Sequence, residues 1–203
     1  MLDQKLNFFF KPVLKKISII LLKYQISPNQ ITLFSFILGI FSFIFLSLGL
    51  VYIALIFFIL NRFFDGIDGT LARLKKPTDL GGFYDIISDF LIYALLPFGF
   101  ILFDNDNFLS MSLLLTSFIG TCATFLTTAW IFEKKKIKIE QLSKKSFFYS
   151  EGLIEGAETI ILFILMFVFY ELASLIAWMF ALLCFLTAIM RVVKVSKILN
   201  SIN

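Results

Sequence analysis

Asn61-Arg62-Phe63-Phe64-Asp65-Gly66-Ile67-Asp68-Gly69-Thr70-Leu71-Ala72-Arg73 closes one long apolar run, and Gly81-Gly82-Phe83-Tyr84-Asp85-Ile86-Ile87-Ser88-Asp89 opens the next. Four aspartates therefore lie inside two segments of membrane-crossing length, where a charge at a helix centre costs about 3 kcal/mol on insertion scales. Ionisable groups so placed face the interior of a bundle or a wet cavity. Asp65 and Asp68 are three residues apart and Asp85 and Asp89 are four apart, so each pair shares one helix face. The short connection makes the two helices antiparallel neighbours. All four carboxylates can converge.

Converging carboxylates repel one another and either take up protons or bind cations. The chain has no histidine, and Cys122 and Cys184 sit singly in apolar runs where they serve as small core residues. The donor set is thus all oxygen and suits Mg²⁺, Mn²⁺ or Ca²⁺ better than zinc. Two divalent ions would balance the four charges, and paired ions are the arrangement that clamps a transferring phosphoryl group. Arg73 adds a bidentate partner for phosphate. Gly66 and Gly69 leave room for a metal, a nucleotide or a neighbouring helix to come close, and plain helix packing accounts equally well for Gly66.

Composition sets the surroundings of this stretch. With 60% hydrophobic residues and a mean hydropathy of +0.95, the 203-residue chain is too apolar for a soluble surface. An all-α integral membrane bundle of six transmembrane helices is expected over residues 27–203, with spans near Ile31–Leu48, Val51–Arg73, Gly82–Phe103, Phe108–Phe132, Leu153–Tyr170 and Leu175–Val192. Residues 1–26 mix Lys11, Lys15, Lys16 and Lys23 with bulky apolar residues, which predicts an amphipathic helix lying on the membrane surface and retained at the N-terminus. Ser27-Pro28-Asn29-Gln30 then reads as a capping box that starts the first span.

Lys and Arg collect in the N-terminal segment, at Arg73 to Lys76, from Lys134 to Lys145 and at Arg191 to Lys197, which are alternate connections. The positive-inside rule puts both termini, and the acidic stretch with them, on the cytoplasmic side. The net charge of +4 reads as a basic face for anionic lipid or phosphate, with no nucleic acid required. A second polar group, Glu151, Glu155 and Glu158 with Tyr149 and Thr159, opens the fifth span. Glu155 and Glu158 could line an acceptor pocket or simply favour a helix N-terminus. Arg191 could hold a phosphate or anchor the last span.

The order Asp65, Asp68-Gly69, Ala72-Arg73, Gly81, Asp85, Asp89 resembles, at all eight positions, the signature of the CDP-alcohol phosphotransferase family. The span layout resembles that family over nearly the whole chain. The resemblance implies transfer of a substituted phosphate group, such as phosphatidyl from CDP-diacylglycerol, to an acceptor hydroxyl with release of CMP, in phospholipid biosynthesis. It further implies Asp65, Asp68 and Asp85 as metal ligands and Asp89 as general base, also touching metal. Asp65, Asp68, Gly69, Ala72, Arg73 and Gly81 would bind CDP, with two Mg²⁺ or Mn²⁺ as cofactors. A homodimer in a bacterial inner membrane is expected on the same ground. Two rivals are a cation-coupled transporter using the intramembrane aspartates and a membrane prenyltransferase; no inverted repeat marks the first, and the second resembles acidic motifs placed far apart in the chain.

Overall fold

Seven α-helices, and no strand, occur among residues 2–136 and 153–202, the residues described by the structure, which is a computed structural model. Helix α1 (Leu2–Lys23) turns into α2 (Pro28–Ser47) through the expected capping box. Ser27 Oγ accepts the Gln30 backbone N–H at 3.2 Å, and Gln30 Oε1 accepts the Ser27 N–H at 2.8 Å. Two of the amide donors that a helix start leaves unsatisfied are thereby paired. α3 (Val51–Lys75) and α4 (Asp79–Phe103) follow, then α5 (Phe108–Lys134), α6 (Gly156–Val168) and α7 (Ala173–Ile202).

Four helical stretches, Pro28–Ser47, Asp79–Phe103, Asn105–Lys134 and Tyr170–Ser201, are long and apolar enough to cross a membrane. The other two expected spans differ in instructive ways. α3 has 25 residues, enough length, but it carries Arg62, Asp65, Asp68, Arg73 and Lys75. α6 has only 13 residues, about 20 Å of helix against about 30 Å of hydrocarbon. Its predicted start at Leu153 is not helical because the amides of Leu153 and Ile154 donate to Thr187 Oγ1 of α7, at 3.0 and 3.2 Å, and Glu155 has extended backbone. Glu151 and Tyr149 lie outside the described residues, as does most of the basic connection that ends at Lys145.

The core gathers Leu46 of α2, Phe58 of α3, Leu96 and Phe100 of α4, Met111 and Leu114 of α5, Phe163 and Phe167 of α6 and Phe180 of α7, all fully buried. Lipid gives apolar helices no hydrophobic reason to associate, so close packing and interhelical hydrogen bonds must hold them together. Asn61 Nδ2 donates to Ser35 O at 2.8 Å while Ser35 Oγ donates to Asn61 O at 2.7 Å, pinning α2 to α3. Ser42 Oγ donates to Ala54 O at 2.8 Å further along the same pair. α2 meets α4 at Gly39, where an added Cβ would lie 2.7 Å from Ile92 Cγ1.

α1 packs on the acidic half of α3. Leu14 lies with Ile31, Ile67 and Leu71 in a second buried cluster. A Cβ on Gly66 would sit 3.2 Å from Leu14 Cδ1, and Ser18 Oγ donates to Ile67 O at 3.4 Å. The N-terminal helix therefore covers the back of the turn that carries Asp65 and Asp68.

Gly39→Val should destabilise the protein by about 1–3 kcal/mol through overpacking, seen as a lower thermal unfolding midpoint in detergent. Combining it with Ile92→Ala should restore part of the loss. An unchanged midpoint in the single variant would show that α2 and α4 do not approach closely at Gly39.

Candidate active site

Helical spacing puts Asp65 and Asp68 on one face of α3, as i and i+3 positions. Thr78 caps α4, its Oγ1 accepting the Gly81 N–H at 3.1 Å, and this fixes where the first turns of α4 begin. Asp85 then points at α3. One carboxylate oxygen from each of Asp65, Asp68 and Asp85 lies within 4.8 Å of the others. At that separation, like charges repel by about 3 kcal/mol per pair at an effective dielectric near 20.

Asp68 is 3% exposed, and its Oδ2 has no hydrogen-bond partner among the described residues. A buried carboxylate oxygen left in that state is costly unless a cation or proton meets it. The three acids thus fit a divalent ion on two counts: an oxygen-only donor set and an orphaned buried oxygen on one of its members. Asp89, predicted as a fourth member, sits a turn along α4 outside the trio. Its Oδ1 accepts a hydrogen bond of 2.8 Å from Arg62 Nη1.

Two cavities flank this cluster. A polar one of about 530 Å³ is lined by Asn29, Asp68, Gly69, Ala72, Arg73, Thr78, Gly81 and Asp85, among others. Five of the six residues expected to hold CDP line it, and Asp65 does not. Gly81 is needed for its shape, since a Cβ there would come within 3.0 Å of Thr78 Oγ1 and 3.1 Å of Asn29 Oδ1. Arg73 Nη2 donates to Thr70 Oγ1 at 3.2 Å, which holds its guanidinium beside Gly69.

The other cavity, about 960 Å³, has mostly apolar walls from α4 to α7, including Ile86, Phe90, Leu115, Phe118 and Ile119. Its polar lining comes from Asp89, Tyr93, Thr121, Glu155, Thr159 and Arg191. Arg191 Nη1 donates to Thr121 O at 2.9 Å and Thr124 Oγ1 at 3.2 Å, tying α7 to α5. Glu158 is not in this wall. Its Oε2 turns back to accept the Glu155 N–H at 3.3 Å, closing the N-terminus of α6.

Arg62 has no assigned role in the sequence reading, yet it is the cation nearest the carboxylates. Its side chain is 7% exposed, and Nη1 stands 2.8 Å from Asp89 Oδ1 and 3.7 Å from Asp65 Oδ2. The available signal was an arginine in an apolar run, three residues ahead of the first aspartate.

The site is thus an acid cluster in an apolar helical bundle, with a polar pocket lined by Asp68 and Asp85 and a mostly apolar cavity lined by Asp89. The model of the CDP-alcohol phosphatidyltransferase family matches residues 25–193, and the chain belongs to that family. It is 45% identical over 193 residues to the inner membrane protein YnjF of Escherichia coli, covering 95% of this chain and 94% of the relative. It is also 43% identical over 70 residues to a bifunctional IPC transferase and DIPP synthase of Thermococcus kodakarensis, a match covering 34% of this chain and 16% of that protein. Its fold is similar to that of the Mycobacterium tuberculosis phosphatidylinositol phosphate synthase PgsA1, solved with CDP-DAG bound, with a TM-score of 0.66 at 18% identity over 91% of this chain and 94% of that one.

Asp68→Asn should weaken Mn²⁺ binding by about tenfold or more, equivalent to about 1.4 kcal/mol, as read from the free-Mn²⁺ electron paramagnetic resonance signal during titration of the purified protein. Wild-type affinity in this variant would remove Asp68 from the cation site.

Proposed function

We propose that this protein transfers a phosphatidyl group from CDP-diacylglycerol to the hydroxyl of an acceptor alcohol, releasing CMP. The observation that carries the reading is that the signature aspartates border both cavities: Asp68 and Asp85 line the polar pocket, and Asp89, one turn further along α4, lines the apolar one. A nucleotide in the one and a lipid-phase reactant in the other would each lie against aspartates of the same motif. The structural relative solved with CDP-DAG supports the same donor.

Asp65, Asp68 and Asp85 would hold the divalent cations, two Mg²⁺ or Mn²⁺. Such ions, when bound, supply Lewis-acid neutralisation of phosphoryl charge. The chain's own residues account for the rest. Arg73 and the backbone around Gly69 and Gly81 seat the cytidine diphosphate, with the guanidinium presenting paired donors to phosphate oxygens. Asp89 accepts the proton of the acceptor hydroxyl. The acceptor oxygen then bonds to the phosphorus that carries the diacylglycerol, and the bond from that phosphorus to the CMP oxygen breaks. Holding both reactants beside the acidic turns of α3 and α4 converts their encounter into an intramolecular step.

The acceptor seats in the larger cavity, with its polar end among Asp89, Glu155, Thr159 and Arg191 and any apolar part against Phe118 and Ile119. Glu158 acts there only by shaping the start of α6. In the membrane, α3 and α6 complete six crossings. α3 brings its acidic end to the cytoplasmic face, and Leu153 to Glu155 extend the short reach of α6. Both termini are cytoplasmic by the distribution of Lys and Arg, and a homodimer is the expected assembly. Cation-coupled transport gains no support from the family match.

The test is release of cytidine-labelled CMP from CDP-diacylglycerol by the purified full chain in nanodiscs, with Mg²⁺ or Mn²⁺ and a panel of acceptor alcohols. Release should require one acceptor, stop on chelation of the metal, and fall about 10²–10⁴-fold in kcat for Asp89→Asn, the range of a lost general base. Absence of acceptor-dependent release across neutral, amino and phosphorylated alcohols would falsify the transfer reading.

A further inference from the structure

The two cavities differ in the charge their walls offer. Arg73, Lys75 and Lys76 line the polar pocket beside Asp68 and Asp85, a cationic lining of the kind that phosphate groups require. Among the described residues that line the larger cavity, Arg191 is the one cation, and Asp89 and Glu155 bring two carboxylates. Arg191 is also held by the protein itself. Its Nη1 donates to Thr121 O at 2.9 Å and to Thr124 Oγ1 at 3.2 Å, and its guanidinium stands 5.6 Å from the centre of the Phe125 ring.

Polarity in the larger cavity is graded along the helices. On α4 the lining runs from Asp89, beside the acidic turns, to Ala94 deeper in the bundle. On the neighbouring α5, which runs the opposite way, it passes from Thr121 and Cys122 to Phe118 and Leu115. Arg191 meets α5 at Thr121, and Glu155 follows the two residues bonded to Thr187, one turn of α7 before Arg191. The charged groups therefore gather at one end. From Phe125 to Leu115 the α5 wall covers about 15 Å of helix, and the cavity encloses about 960 Å³. A small polyol would fill only its polar end.

We propose that the acceptor is a membrane lipid whose head group carries the hydroxyl, seated with that hydroxyl at Asp89 and its apolar body toward Phe118 and Leu115. This rests on the transfer reading given above and narrows its acceptor to one chemical class. The grading of the cavity follows that of a lipid in the cytoplasmic leaflet, head toward the acidic turns and chain toward the middle of the bundle. Acyl chains that enter leave one apolar environment for another, so little opposes their transfer. A free phosphorylated alcohol would give up hydration to walls that offer it few donors, and a buried charge without partners is costly. In the transfer, the lipid's hydroxyl oxygen bonds to the donor phosphorus, its proton passes to Asp89, and CMP leaves with the electron pair of the broken P–O bond. The product is a phosphodiester that carries two lipid bodies.

The experiment uses the full-length protein in phosphatidylcholine nanodiscs with Mg²⁺ and CDP-diacylglycerol, and offers one acceptor at a time: diacylglycerol, phosphatidylglycerol, glycerol 3-phosphate, an inositol phosphate or serine. CMP release at saturating acceptor should be about 10²-fold faster with one of the two lipids than with any water-soluble alcohol. Leu115→Trp, which fills the deep end of the cavity, should lower the rate with that lipid about tenfold and leave the KM for CDP-diacylglycerol within about threefold of wild type. A water-soluble alcohol that matches or exceeds both lipids overturns the proposal. So does a Leu115→Trp variant in which the KM for CDP-diacylglycerol rises while the lipid acceptor reacts as before, because the cavity would then hold the donor's chain. If Leu115→Trp does not fold, the wild-type acceptor series decides.

If the wild type releases no CMP with any acceptor, the transfer reading fails and binding is measured by itself. Cys122 lines the same cavity, and its alkylation by N-ethylmaleimide can be followed by peptide mass spectrometry. Diacylglycerol or phosphatidylglycerol in the disc should slow that reaction about fivefold relative to phosphatidylcholine alone, as for a site held at about four times its Kd, and glycerol 3-phosphate should not. Protection by glycerol 3-phosphate, or by none of the three, refutes a lipid-alcohol site.

Discussion

Concentrated negative charge inside an apolar bundle is the constraint on which the rest of the structure depends. Three carboxylate oxygens within 4.8 Å of one another, one of them on a residue that is almost wholly buried, cannot be held by apolar packing alone. The fold answers with rigid anchors around the cluster. Asn61 is locked to Ser35, Arg62 spans Asn61, Asp89 and Tyr93, and Leu14 of α1 presses on Gly66 behind the acidic turn of α3. Each anchor fixes a side chain that would otherwise escape toward water.

The start of α4 explains how one helix comes to border two cavities of opposite polarity. Thr78 starts α4 next to the polar pocket, so the first turns of that helix carry Gly81 and Asp85 into it. One turn later the helix has entered the apolar half of the bundle, and Asp89 and Tyr93 face the larger cavity. A single helix thus passes from the polar pocket to the apolar cavity within a few residues. Small residues permit this close arrangement: Gly39 lets α4 lie against α2, and Gly81 lets Asn29 approach Thr78.

Helix ends contribute as much as helix faces. The chain entering α6 is extended and bonded to Thr187, so α6 begins late and Glu158 is spent on its first amides. Glu155, left at the threshold, borders the cavity instead. This stretch of the cavity wall is therefore set by how a helix starts, and the apolar content of that helix has little to do with it.

Much of this could be read from the amino acids alone. Alternation of apolar runs with basic connections, the absence of histidine, the capping box at Ser27 and the spacing of the aspartates along each helix all follow from local chemistry, in which neighbours in sequence are neighbours in space. Asp65, Asp68 and Asp85 come together because two such helices are joined by a short turn. Contacts between helices were another matter. The position of Asp89 outside the trio, the contacts of Arg62, the diversion of Glu158 and the short reach of α6 depend on the register of one helix against the next. That register is decided by close packing at Gly39 and Ile92 and by the Ser35–Asn61 and Thr187 hydrogen bonds. Periodicity gives the face a residue occupies on its own helix, and only tertiary packing decides what stands opposite.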